Sequence, residues 1–365
     1  VFEILTHDDF DFLSDEYQRL FERSRASAFQ HPLWLDAVYR MLVPAHGAKP
    51  LVLVARRRGD GRLAMVLPLV RRRRHGVRLV EFADFGVTDY ASAVCDDATF
   101  AALVGSPRAQ QQMLNLLKPF DLLRIKKIPD RAQPLEQLFA GARRMPLGVS
   151  AHAAPLDGDF ETWRAARMAP SFAKELRKKR RQLERQGAVA LERVVEPSAI
   201  VSLLGDLQTF RGRRFPDDLL GQKGYFNFYA HVALAGAASG FARGYRLSLD
   251  GRSLGGAWGI GHHGRFLLLI SGLDYAAHPR QSLGALTFED LARDCIGNQD
   301  QVFDFTIGDE GYKQQFGAEP SPLWIASAHA TGLGMVAEKL ATRRLRPDPT
   351  ASIPLAGPAT AQQSA

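Results

Sequence analysis

The stretch that decides the fold runs from Tyr245 to Gly317. It opens as Arg246-Leu-Ser-Leu-Asp250-Gly251-Arg-Ser-Leu-Gly-Gly-Ala-Trp258, two apolar runs about an Asp-Gly pair, which predicts a hairpin. Phe266-Leu-Leu-Leu-Ile270 predicts a third strand, and His278-Pro-Arg280-Gln281-Ser282-Leu283-Gly284 a loop. A helix is expected from there to about Cys295, with Phe288, Leu291, Ala292 and Cys295 on its buried face. Val302-Phe303-Asp304-Phe305 then predicts a strand running into Gly308-Asp309-Glu310-Gly311-Tyr312-Lys313. Strand, glycine loop, helix, strand is the order in which an α/β sheet aims the unpaired amides of a helix start at a phosphate.

Outward from this stretch, the first half repeats its plan. Residues 1–48 read as helical, with Tyr17, Leu20 and Phe21, then Leu33, Trp34, Ala37, Val38 and Met41, at helix spacing. Strands follow at Pro50–Ala55, Leu63–Val70 and Val77–Phe82, then a loop Asp84-Phe-Gly86-Val-Thr-Asp89-Tyr90, a helix Phe100–Leu117 and a strand Leu122–Ile125. Asp60-Gly61-Arg62 matches Asp250-Gly251-Arg252, and His75-Gly76 matches His263-Gly264 at nearly the same separation. Two turns in register predict a tandem duplication. The expected division is a first domain over 1–150, a second over 151–342 that begins with a basic helix over 171–186, and a disordered, proline-containing tail over 343–365. Ser171 is the expected cap of the basic helix and Gly187 its stop. Ile325–His329 is expected to close the second sheet.

Composition bounds the function more loosely. The 365 residues are 46% hydrophobic and 24% charged, as in an ordinary globular protein. No run approaches the ~18 apolar residues of a membrane span, and Val1–Phe21 reads as too acidic for a secretion signal, so a cytoplasmic protein is expected. Two cysteines, Cys95 and Cys295, support neither a disulfide framework nor a metal site. The formal charge of +8 favours an anionic partner; its clusters are Arg56–Arg58, Arg71–Arg74 and Lys174–Arg185. The last of these has no interleaved aromatic residues and so reads poorly as a single-strand nucleic-acid surface.

Two clusters can carry chemistry. In Gln281-Ser282-Leu283-Gly284, a glycine opens a helix where backbone amides and the positive end of its dipole would meet an anion, with Arg280 alongside. In Gly308–Gly317, four polar candidates crowd a strand end, and Asp304 just before them faces away from Phe303 and Phe305. An acidic residue within a sheet needs a partner or a function.

These residues carry a resemblance. Ser171-Phe-Ala-Lys-Glu-Leu-Arg-Lys-Lys-Arg-Arg-Gln-Leu-Glu-Arg185, Gly272-Leu-Asp274, Phe303-Asp304-Phe305 and Gly308-Asp309-Glu310 with Tyr312-Lys313 resemble the GNAT acyltransferases, in particular the BioF2-like CelD/BcsL group. Phe29-Gln-His-Pro32-Leu-Trp34 and Leu67-Pro-Leu-Val-Arg71 extend it to the first half, in the tandem arrangement of the Fem aminoacyltransferases. The resemblance implies an α/β (α+β) fold of two tandem GNAT-like domains, each a mixed, mostly antiparallel sheet flanked by helices. It implies direct acyl transfer from acetyl-CoA or another acyl-CoA to an amine or hydroxyl, with no metal. The acceptor it suggests is a sugar or related metabolite of exopolysaccharide or cellulose synthesis. On that resemblance the donor lies against Ser271 and Gly272, its pyrophosphate on Arg280, Gln281, Ser282, Leu283 and Gly284, with Lys313 near it. Tyr312 is the acid, and Asp304 or Glu310 the base. Leu286 stands where the family motif has glycine or alanine. Two other readings are a Fem-like enzyme using aminoacyl-tRNA, touched by Lys174–Arg185, and a non-catalytic module of polysaccharide synthesis.

Overall fold

The computed structural model describes residues 2–343. The expected tail over 343–365 lies outside the described residues except for Arg343, the last residue of a helix. The first half runs β1 (Phe2–His7), α1 (Asp15–Arg23), α2 (Pro32–Ala37), a π turn, α3 (Val43–Ala45), β2 (Lys49–Arg57), β3 (Leu63–Arg74), β4 (Val77–Phe82), β5 (Val94–Cys95), α4 (Asp97–Val104), α5 (Pro107–Leu116), β6 (Leu122–Pro129) and β7 (Arg143–Pro155). The second runs α6 (Phe160–Arg167), α7 (Pro170–Glu184), β8 (Val189–Val194), α8 (Pro197–Gly212), α9 (Lys223–Gly236), β9 (Ala242–Leu249), β10 (Arg252–His262) and β11 (Arg265–Leu273). It ends with α10 (Leu283–Gly297), β12 (Val302–Ile307), α11 (Tyr312–Gln315), β13 (Glu319–His329) and α12 (Gly332–Arg343).

All strands but β5, which adds only to β3, lie in one path: β1-β2-β3-β4-β6-β13-β7-β12-β11-β10-β9-β8. Its two ends mirror each other. Each half builds an antiparallel meander and then one parallel pair, β4 with β6 and β11 with β12. Each half also gives its last strand away. β13 pairs with β6 of the first half, from Leu323↔Pro129 to His329↔Leu122, and β7 pairs with β12 of the second, from Val302↔Pro155 to Ile307↔Ala151. The exchanged strands meet antiparallel along the centre. The expectation that Ile325–His329 closes the second sheet is therefore corrected: that strand begins at Glu319 and fills the gap between the halves. A single apolar run specifies a buried strand, not which neighbour it takes.

The matching turns explain the duplicated plan locally. His75 (φ 50°) with Gly76 (φ 82°) and His263 (φ 48°) with Gly264 (φ 66°) both hold two left-handed residues, the backbone of a two-residue hairpin that follows the strands' twist. Asp250 (φ 48°) and Gly251 do the same, whereas β2 and β3 are joined by a longer loop in which Gly61 (φ 68°) turns left-handed.

Three further readings are corrected. Residues 2–7 are an edge strand, because Ile4 is buried and Leu5 exposed in alternation, a signal too short to separate from helix. Phe100–Leu117 breaks at Ser106, whose hydroxyl caps α5 ahead of Pro107. Ser171 does not cap α7; Pro170 starts that helix and no side chain caps it.

The faces of the sheet differ. On one, α1 and α2 of the first half and α8 and α9 of the second share a continuous apolar core, with the Trp34 and Phe228 rings edge to face at 5.1 Å. On the other, α4 and α5 cover the first half and α6, α7 and α10 the second, over two separate cores. No helix among the described residues is long and apolar enough to cross a membrane.

Candidate active site

The site is made by strands that part. β11 and β12 pair for three residues only, Arg265↔Val302 to Leu267↔Asp304. Thr306 then adopts a left-handed backbone (φ 57°), β12 shifts register against β7, and it turns away while β11 continues to Leu273 against β10 alone. The result is a wedge whose β11 wall carries backbone groups unpaired with β12. At its apex the Thr306 hydroxyl reaches the Leu268 carbonyl (3.4 Å), and further out the Arg211 guanidinium donates to the Ser271 carbonyl (3.1 Å). Gly272 is glycine because α8 passes close: a Cβ there would stand 2.9 Å from the Leu207 carbonyl oxygen.

One lip of the wedge is the start of α10. Ser282 holds the N-cap position in a left-handed conformation (φ 53°) and its side chain makes no capping bond, so the first amides of α10 have no side-chain partner. The Tyr275 hydroxyl stands over them, 2.6 Å from where a Cβ on Gly284 would be. Gln281 turns its side-chain oxygen back to the Arg280 amide (3.0 Å), and the Lys179 ammonium donates to the Arg280 carbonyl (2.6 Å). Leu283 and Leu286 are buried in the core beneath.

The other lip is the loop after β12. Lys313 is 2% exposed, and its ammonium donates to the carbonyls of Ile307 (3.0 Å) and Gly308 (2.9 Å) and pairs with Glu310 (2.9 Å). It has no proton left for a ligand; it ties the loop to the strand end. Glu310 folds back over Gly308, where a Cβ would stand 2.5 Å from its carboxylate. Tyr312 lies on Phe288 (5.5 Å, 23° between rings) with one edge open. Burial, and then the neighbouring Glu310 charge, push its hydroxyl well above the ordinary tyrosine range, so it keeps its proton.

Asp304 is placed differently from the open lip residues. It is 1% exposed; one oxygen accepts from the Tyr90 hydroxyl (2.7 Å) and the Thr306 amide (2.8 Å), the other from Arg265 (2.7 Å). This carboxylate clamps the first half's loop to β12, with three hydrogen bonds already made to its two oxygens. The structure thus gathers Ser271, Gly272, Arg280, Gln281, Ser282, Leu283, Gly284 and Tyr312 around one wedge, while Asp304 and Lys313 lie beneath it. Tyr275, Arg211, Tyr90 and Asp89 border the same place and were not singled out from the sequence. A polar loop following a strand in each half is the signal that would have raised Tyr275, Tyr90 and Asp89; Arg211 lies on α8 and carries no such signal.

Residues 170–314 match the family described as acetyltransferase (GNAT) domain. No curated protein matches the sequence. Among solved structures, FemX is similar over 93% of this chain and 99% of its own, at 11% identity and a TM-score of 0.62. L-PGS from Bacillus licheniformis is similar over 94% and 99%, at 14% identity and a TM-score of 0.57. A conserved protein of unknown function from Bacteroides thetaiotaomicron is similar over 89% and 99%, at 12% identity and a TM-score of 0.56. At such identities the likeness is one of fold. The chain shares the fold of these structures over both halves, and the match to the acetyltransferase (GNAT) domain falls in its second half. Among the described residues, no three His, Cys, Asp or Glu side chains are arranged to hold a metal ion.

Proposed function

We propose that this chain is an acyltransferase that accepts acyl-CoA, acetyl-CoA foremost, and passes the acyl group to an amine or hydroxyl in one direct displacement. The observation that carries the reading is the wedge between β11 and β12, with a glycine-opened helix at one lip and a protonated tyrosine at the other. The residues present fit such a donor. Gly284 leaves the first amides of α10 open to a pyrophosphate, Arg280 adds charge, and the Tyr275 hydroxyl over them can share the phosphate or swing aside. Ser271 and Gly272 offer backbone to the pantetheine arm. Bound there, the donor supplies a thioester carbonyl, which backbone amides of β11 would polarise. Tyr312 would give its proton to the departing sulfur. Both cysteines are buried and burial raises their thiols, Cys95 to about 12, so neither is placed as a covalent nucleophile. The CelD/BcsL resemblance supports a saccharide acceptor from exopolysaccharide synthesis, and the absence of a cysteine nucleophile supports direct attack.

A second reading, an aminoacyl-tRNA donor, is favoured by one observation. Lys174, Arg177, Lys178, Arg181 and Arg185, with one acidic residue, Glu184, line a shallow groove along α7, whose Lys179 reaches the Arg280 carbonyl at the slot mouth. Calorimetry with acetyl-CoA, CoA and tRNA separates the readings. Heat with the first two and not the third is the expected result; heat with tRNA alone supports the second reading. No heat with any donor would leave the non-catalytic module.

A further inference from the structure

A donor held inside the slot gives no role to the charge gathered outside it. On α7, Lys174, Arg177, Lys178, Arg181 and Arg185 are all exposed and recur at the three- and four-residue spacing of one helix face. They line a groove of about 630 Å³ and extend about 16 Å along the helix. The inner side of the same helix has its partners: Arg180 pairs with Asp290 (2.7 Å) and Glu289 (3.7 Å), and Lys179 is tied to the Arg280 carbonyl at the slot mouth. Among the described residues the five outer cations make no ion pair, and Glu184 is the one acid that lines their groove. Like charges at that spacing repel along a helix, and no acid of the fold offsets the repulsion. Across the mouth, the Arg214 guanidinium lies over the rings of Phe215 (5.2 Å) and Tyr275 (5.4 Å), which are 45% and 38% exposed.

We propose that α7 and the Arg214 platform dock a small acidic protein that carries the acyl group on a phosphopantetheine arm, and that this arm enters the slot between β11 and β12. The inference rests on the thioester slot of the acyl-CoA reading and gives that slot a protein partner. Free CoA leaves the stripe unused, because its pyrophosphate belongs at the first amides of α10, where α7 contributes only the Lys179 tie. A carrier protein offers the same pantetheine and places its own surface outside the mouth. An acidic face there completes the five charges, and Phe215 and Tyr275 supply the aromatic contact found at the centre of protein interfaces. RNA fits this surface less well. No aromatic ring is interleaved with the cations to stack on bases, and Glu184 repels a phosphate chain, whereas it can pair with a basic side chain of a protein.

The chemistry in the slot is the same for either donor. The acceptor's nucleophilic atom bonds to the thioester carbon as the C–S bond breaks. Tyr312 protonates the arm's sulfur, and the acceptor's proton returns to Tyr312 through water. Acylated acceptor and carrier thiol are the balanced products. What changes is the association: exposed cations attract a charged protein through solvent, where salt screens them within about 8 Å at physiological ionic strength. Carrier binding should therefore depend steeply on salt and on α7, and acetyl-CoA binding should not depend on the outer face of α7.

The test measures, on the full chain, calorimetric binding of four probes: a bacterial acyl carrier protein charged with acetyl on its arm, the same carrier lacking the arm, acetyl-CoA, and tRNA. The charged carrier is expected to bind, and to bind at least about tenfold more tightly than the armless one. Raising the salt from about 50 to about 300 mM should weaken it at least about tenfold. Arg177→Glu with Arg181→Glu, two exposed positions without a partner, should weaken the charged carrier about 30-fold and leave acetyl-CoA within about twofold. A protein that binds acetyl-CoA but not the charged carrier, or a charge-reversed variant that binds the carrier as wild type does, would overturn the inference alone. So would tRNA binding that the double variant abolishes, in a protein that ignores the carrier. Carrier binding without acetyl-CoA binding would uphold the inference and overturn free acyl-CoA as the donor; binding of neither thioester would overturn both.

Discussion

Strands β4 and β6 run parallel for three residue pairs, Leu79↔Leu122 to Glu81↔Arg124, and β11 and β12 for three, Arg265↔Val302 to Leu267↔Asp304. In both, the second strand then bulges at a left-handed residue, Lys127 in one and Thr306 in the other. The contents of the two openings diverge. In the first half Lys127 sends its ammonium into its own loop, which folds back so that the Ala91 amide donates to the Lys127 carbonyl (2.9 Å). In the second, neutral Thr306 stands at the apex, and the lips are tyrosines and helix amides. Duplication has kept the backbone geometry and changed the side chain at the bulge. A lysine closes one opening; a threonine leaves the other to a ligand.

The comparison breaks most sharply at Tyr312. Tyr312→Phe keeps the ring on Phe288 and removes the proton, so turnover should fall about 100-fold or more while acyl-CoA affinity stays within about twofold. The first half keeps a pocket of about 340 Å³ where α4 meets the segment after β6, lined by Arg25, Ser92, Phe100, Arg131 and Gln133. Arg131→Ala there should leave turnover unchanged. Steady-state kinetics on both variants would show whether catalysis belongs to one opening; equal losses would say that it does not.

Next in size is the clamp between the halves. Asp304→Ala leaves the Tyr90 hydroxyl and the Thr306 amide buried without an acceptor, and Arg265, itself 42% exposed, without its partner. A loss of about 3 kcal/mol is expected, against about 1 kcal/mol for Tyr90→Phe, which removes one hydrogen bond. Urea unfolding measures both. An Asp304→Ala protein as stable as wild type would mean that the halves are not joined there.

Much of this architecture is legible in the sequence, for reasons that the residues make plain. The His-Gly turns are short local signals whose backbone demand is met by few residues, so they reveal the duplication. The glycine at 284 and the phrase around Tyr312 mark the lips of the slot. The exchange of β7 and β13 is not legible, because strand partners are fixed by the competition of whole edges, not by any residue within them. Lys313 and Asp304 read as chemistry because a charged residue near a strand end demands a partner. The sequence shows the demand, while the carbonyls of Ile307 and Gly308 and the hydroxyl of Tyr90 that meet it come from elsewhere in the fold.

A smaller effect tests how the halves hold each other. His31 of the first half stacks on Phe241 of the second (3.9 Å), and His262 of the second on Phe21 of the first (4.4 Å). Burial lowers His31 to about 4, and burial with the neighbouring histidines lowers His262 to about 3. Both are neutral when folded, whereas an unfolded histidine takes a proton near pH 6.5. Stability is therefore full above about pH 6.5 and falls with acid down to about pH 4, by at most about 1.4 kcal/mol per pH unit for His31. Urea unfolding at pH 7 and 5 should show this loss shrinking in His31→Asn, which can keep the cap on the Leu33 amide. An equal loss in both proteins would place the acid sensitivity elsewhere.

The smallest effect asks whether the two halves still share a backbone. Gly76 and Gly264 are the second residues of the matching turns, at φ 82° and 66°. A Cβ on Gly76 would meet nothing within 4 Å, and one on Gly264 only Gln301, at 3.5 Å, an ordinary contact. Alanine therefore adds no clash at either, and the whole cost is that of holding an L-residue left-handed, about 1 kcal/mol each. Gly76→Ala and Gly264→Ala should accordingly lose the same stability within about 0.5 kcal/mol, and their double variant should lose the sum, since the turns share no partner. Unequal losses in denaturant midpoints, with unchanged slopes, would mean that one hairpin relaxes to another turn type. The structural equivalence of the two meanders would then be only approximate at the position where the sequence repeats most plainly.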